Sequence, residues 1–120
     1  MPNSKFKNVY TMIGPDARIN GPINLDQGII IYGKVFGDIN TQSSVRIAKD
    51  GIVEGNIKCS DIILGGTVIG DIKSEGSVTL KNSSKLIGDI RYRKLHIEDG
   101  AKFEGQCDLA LDSNVGNMHN

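Results

Sequence analysis

The chain of 120 residues offers few side chains to chemistry. Histidine occurs twice, as His96 and His119, and cysteine twice, as Cys59 and Cys107. A catalytic or structural zinc site takes three or four closely placed His, Cys or carboxylate ligands. Two histidines cannot supply a three-His site, and the cysteines stand 48 residues apart without CxxC spacing. Both cysteines are expected to stay reduced. His96 lies in Leu95-His96-Ile97-Glu98, where alternation turns Leu95 and Ile97 inward and His96 to solvent. The pattern Gly-x-x-x-x-Gly-Lys-Ser/Thr, which cradles nucleotide phosphates, does not occur. One row of carboxylates, Asp38, Asp71 and Asp89, recurs at a fixed place in a repeat. It reads either as solvated polar side chains or as a contact for a cation or partner. These residues point away from catalysis, cofactors and bound metal.

The elements that hold them are repeats. Gly21-Pro22-Ile23, Gly37-Asp38-Ile39, Gly55-Asn56-Ile57, Gly70-Asp71-Ile72, Gly88-Asp89-Ile90 and Gly105-Gln106-Cys107 follow at spacings of 16, 18, 15, 18 and 17. Two residues before each glycine stands Ile19, Val35, Val53, Val68, Leu86 or Phe103. Four residues before it the side chain is small: Ala17, Gly33, Gly51, Gly66, Ser84 or Ala101. Apolar residues spaced by two are the strand period. A second short strand precedes each later unit, as at Val45–Ile47 and Val78–Leu80. Such a unit cannot bury a face alone, and it is too short for a propeller blade. It fits one turn of a β-helix, with like residues stacked in ladders. The expected fold is all-β: a single-domain β-helix solenoid of about six coils of roughly 17 residues. Residues 1–10 read as an N-terminal tail, 11–108 as the core and 109–120 as a short C-terminal tail.

Charge balances, with 14 Lys and Arg against 14 Asp and Glu, so no nucleic-acid partner is expected. No run of about 18 apolar residues is present. The opening Met-Pro-Asn-Ser-Lys-Phe-Lys has no apolar stretch, and the chain reads as cytoplasmic.

The segment Thr11-Met-Ile-Gly14, then Gly21-Pro-Ile, then Ile31-Tyr-Gly33-Lys-Val-Phe-Gly37-Asp-Ile39, resembles the bactofilins. The later Gly-x-Val-x-Gly-Asp-Ile units extend the resemblance over residues 11–108. It implies a right-handed β-helix that self-assembles into filaments without nucleotide. It also implies a place at the inner face of the cell membrane, a role in cell shape, and cell-wall enzymes as partners.

Three surfaces are candidates for function. A β-helix leaves an open strand edge at each end, a template for further pairing. The ends here are apolar: Ile13, Ile19, Ile23 and Leu25 at one, Phe103, Leu109 and Leu111 at the other. Either the tails fold over them or another subunit covers them, and the tails are short and poor in apolar residues. Lys5, Phe6 and Lys7 form a candidate contact with an anionic membrane, or else a plain tail. Ile69 and Ile87 face outward on adjacent coils, by chance or as a lateral filament contact or a face apposed to membrane. The competing enzyme reading, a left-handed hexapeptide-repeat acyltransferase, requires a strict 18-residue coil, which the spacings break.

Overall fold

The computed structural model describes residues 9–109. They form six coils of three short strands each, and every described strand is parallel to its neighbours. Coil 1 holds β1 (Val9–Ile13), β2 (Arg18–Asn20) and β3 (Ile23–Leu25); coil 2 holds β4 (Gly28–Ile31), β5 (Lys34–Phe36) and β6 (Ile39–Thr41). Coil 3 holds β7 (Ser44–Ile47), β8 (Ile52–Glu54) and β9 (Ile57–Cys59); coil 4 holds β10 (Asp61–Leu64), β11 (Thr67–Ile69) and β12 (Ile72–Ser74). Coil 5 holds β13 (Ser77–Leu80), β14 (Lys85–Ile87) and β15 (Ile90–Tyr92); coil 6 holds β16 (Lys94–Ile97), β17 (Lys102–Glu104) and β18 (Cys107–Leu109). The first strands of all coils make one six-stranded sheet, the second strands another, and the third strands a third.

The repeat thus carries three strands per coil, where alternation suggested two. The conserved parity hides a corner. Each repeat glycine sits between the second and third strands with positive φ, as at Gly70 (147°) and Gly88 (145°). This turns the chain without changing which residues face inward. A Cβ at Gly70 would run into the Gly55 carbonyl beneath it, so the corner stacks only as glycine on glycine.

Inside, identical positions pair in register. Val35, Val53, Val68 and Leu86 form one ladder, and Ile39, Ile57, Ile72 and Ile90 a second. Ile31, Ile47, Leu64 and Leu80 form a third. All are essentially inaccessible to water. β-branched residues fill such narrow pleated layers well, and each buried side chain of this size contributes about 1.5–3 kcal/mol. Two inward hydroxyls at the corner after the third strand are satisfied locally. Thr41 Oγ1 donates to the Gln27 carbonyl at 2.7 Å, and Ser74 Oγ donates to the Ser60 carbonyl at 2.6 Å.

Candidate functional site

The carboxylate row has a structural task that the sequence did not disclose. After the repeat glycines of coils 3 to 6 the backbone N–H points back toward the preceding coil. There the side chain of the equivalent residue accepts it. Asn56 N–H donates to Asp38 Oδ1 at 2.8 Å, and Asp71 N–H to Asn56 Oδ1 at 3.0 Å. Asp89 N–H donates to Asp71 Oδ1, and Gln106 N–H to Asp89 Oδ1, each at 3.0 Å. Asp and Asn recur here because both offer a short side-chain oxygen at the right reach. Among the described residues no group of three or more His, Cys, Asp or Glu is gathered as a metal site would require.

His96 is exposed on β16. Cys59 is buried, and burial, with Asp61 and Glu75 nearby, pushes its thiol up to about 12. Cys107 is exposed on the last coil, its thiol raised by partial burial and by Asp108 and Asp89. Ile69 and Ile87 lie side by side and exposed on β11 and β14.

The ends of the rod stand apart from its middle. β16, β17 and β18 are the outermost strands of their sheets at one end, and β1, β2 and β3 at the other. At the C-terminal end Phe103 pairs in register with the buried Leu86 and is itself only half-buried. Leu109 is 49% exposed and Ile97 46%, whereas Leu80, one coil in from Ile97, is 0% exposed. Tyr92 and Leu95 join this end, both half-buried and packed on the core. Alternation within Leu95-His96-Ile97 and the place of Tyr92, two residues beyond Ile90, were the signals for them. At the N-terminal end Ile19, Ile23 and Leu25 are half-buried against the core, while Ile13 is buried. Leu111, Lys5, Phe6 and Lys7 lie outside the described residues. Among the described residues each end of the rod presents strand edges, with apolar side chains exposed at the C-terminal end and half-buried at the N-terminal end. That geometry suits association.

Comparison with known proteins gives a consistent result. The chain matches the family described as "Bactofilin: Polymer-forming cytoskeletal" over residues 11–108. It is 34% identical over 101 residues to Bactofilin BacO of Myxococcus xanthus (strain DK1622), covering 84% of this chain and 80% of that protein. It is 31% identical over 99 residues to Bactofilin BacP of the same organism, covering 82% of this chain and 41% of that longer protein. No solved structure matches the chain.

Proposed function

Since the chain belongs to the bactofilin family of polymer-forming cytoskeletal proteins, we propose that it polymerises end to end, through the two open ends of its β-helix. The observation that carries this reading is the contrast in burial between the terminal coil and its neighbours. Covering the exposed parts of Leu95, Ile97, Phe103, Cys107 and Leu109 contributes on the order of 5 kcal/mol. Association costs about 4–15 kcal/mol in lost freedom. Apolar cover alone is therefore insufficient, and pairing of the open strand edges supplies the remainder. A two-fold joint at Phe103 closes on itself, so a filament needs a second joint at Ile19, Ile23 and Leu25. Alternating joints of these two kinds give a filament without polarity.

Assembly in this scheme needs neither nucleotide nor divalent metal. Wild-type protein is expected to pellet equally after apyrase and EDTA treatment. Phe103→Arg sets like charges face to face while leaving five coils intact. It is expected to yield a folded species no larger than a dimer, by light scattering and circular dichroism. Normal filaments from this variant would refute the joint.

The scaffold so formed lies at the inner face of the cell membrane and supports cell shape, with cell-wall enzymes among its partners. Lys5-Phe6-Lys7 is the proposed membrane contact. A buried Phe is worth about 2–3 kcal/mol and each Lys near an anionic surface about 1 kcal/mol. One tail binds weakly, and a polymer binds firmly through avidity. Deleting residues 2–8 is expected to abolish flotation with anionic liposomes while sparing filaments. Continued flotation would place the contact elsewhere.

A further inference from the structure

The corner between first and second strands has two lengths. It holds four residues in coils 1, 3, 5 and 6, and two in coils 2 and 4, where it is Tyr32-Gly33 and Gly65-Gly66. Coil 4 is therefore recessed between the longer corners of coils 3 and 5. The recess is a cleft of about 490 Å³. Gly65 lies at its floor, with Ala48 and Lys49 from coil 3 and Lys81 and Ser83 from coil 5 along its walls. Ser83 Oγ donates to the Gly65 carbonyl at 2.6 Å and pins the coil 5 corner over the floor.

Coil 2 is an internal counterpart. Tyr32 N–H donates to the Ile13 carbonyl at 2.8 Å, just as Gly65 N–H donates to the Ile47 carbonyl at 2.7 Å. The two residues are thus equivalent, and the recess in coil 2 carries its own aromatic side chain. Tyr32 is 38% exposed. In coil 4 glycine stands in its place.

We propose that the cleft over Gly65 binds an aromatic side chain flanked by carboxylates, presented by an extended segment of another protein. The shape argument is the counterpart: the same two-residue corner carries a tyrosine in coil 2. The lining supplies aliphatic surface from Ile63 and Ala48. Charge sets the sign. Lys81 is engaged by Glu98 at 3.5 Å, while Arg46 and Lys49 have no carboxylate within 4 Å among the described residues. This chain's own Lys5-Phe6-Lys7 carries the wrong sign for that rim.

The test uses full-length protein and a fluorescein-labelled Asp-Glu-Tyr-Glu-Asp peptide, read by anisotropy. Anisotropy rises on binding to single rods or filaments alike, so the result does not depend on polymerisation. Saturable binding is expected. Gly65→Tyr puts the coil 2 residue at the equivalent corner, where its Cβ needs the Ile47 carbonyl, 3.2 Å away, to give slightly, and it is expected to weaken binding roughly tenfold or more while the circular dichroism spectrum stays that of a folded rod. Arg46→Gln and Lys49→Gln are each expected to weaken it about threefold. A Lys-Lys-Tyr-Lys-Lys peptide and an Asp-Glu-Gly-Glu-Asp peptide should bind far more weakly. Absence of saturable binding, equal binding of either control peptide, or indifference to all three substitutions would overturn the assignment.

Discussion

Replacing Gly70 by Ala tests the stacking of the coils directly. The residue holds φ of +147°, a region that side chains rarely enter. An alanine there carries roughly 1–3 kcal/mol of backbone strain. Its methyl group would also meet the Gly55 carbonyl and its carbon, which are backbone and cannot swing aside. The corner must open until the methyl clears. Opening stretches three bonds between coils 3 and 4: Gly55 N–H to Ile69 O at 3.0 Å, Ile57 N–H to Asp71 O at 2.8 Å, and Asp71 N–H to Asn56 Oδ1 at 3.0 Å. At about 1 kcal/mol each, with the strain added, the loss is on the order of 4–6 kcal/mol. A domain of this size has about 5–15 kcal/mol in all. Gly70→Ala is therefore expected to remove a third or more of the rod's stability, with a midpoint lowered by about 15 °C or more. Two further substitutions separate the causes. Gly21→Ala has φ of +108° but nothing within 4 Å of the new methyl, so it loses the strain alone. Gly14→Ala has open space and no positive φ, and should fall within about 0.5 kcal/mol of wild type. Thermal melts by circular dichroism at one protein concentration give the order. A Gly70→Ala protein as stable as Gly14→Ala would refute glycine-on-glycine stacking.

The side-chain ladder predicts a difference between two changes at one position. Asp71→Asn keeps an oxygen for the Asp89 N–H and should be nearly neutral, whereas Asp71→Ala leaves that exposed N–H to water and should cost about 1 kcal/mol in denaturant melts. Equal stabilities would remove the ladder as a source of stability. The cysteines should separate by reactivity: in the Phe103→Arg variant, whose C-terminal end is left uncovered, maleimide at pH 8 is expected to label Cys107 and spare Cys59, whose thiol burial pushes up to about 12. The raised value sets a sign for stability as well, since the neutral Cys59 thiol favours the folded state below its ordinary 9.0 and this contribution is lost as pH rises toward 12. Mass spectrometry showing Cys59 modified in folded protein would refute its burial.

The inward ladders were legible because burial acts on every second residue and the repeat displays the same choice six times. Val53 and Val68, or Ile57 and Ile72, are fixed by that alternation alone. The third sheet was not legible. The glycine corner bends the backbone yet preserves in-and-out parity, so apolar spacing runs through it as though the strand were straight. The task of Asp38, Asn56, Asp71 and Asp89 was hidden for a different reason. Each partner is a backbone N–H one coil away, and a backbone group leaves no trace in residue type. At the ends, sequence placed Phe103, Ile19 and Ile23 on the terminal coils. It underweighted Tyr92, Leu95 and Ile97, because a residue in a ladder looks the same whether or not another coil follows it.

How the ladder stops bears on how the rods meet. Its first position is Pro22, which has no N–H and so leaves no donor pointing out of the N-terminal end. Its last is Gln106, which donates its own N–H to Asp89 and has no described coil above it. Within the described coils the ladder bonds run from Asp38 to Gln106, and the rung between coils 1 and 2 has none, because Pro22 offers the Asp38 N–H no side-chain oxygen. In a head-to-tail stack Gln106 of one chain would meet Pro22 of the next, a rung with no N–H to give. The ladder would lapse at such a joint as it already does between coils 1 and 2, and the apolar interior would still be covered. Joints between like ends need no continued ladder, because antiparallel contact never aligns these positions in register. In the proposed polymer the apolar rungs and the open strand edges together supply the drive to associate, and joints between like ends are compatible with a polar ladder none of whose bonds has to cross them.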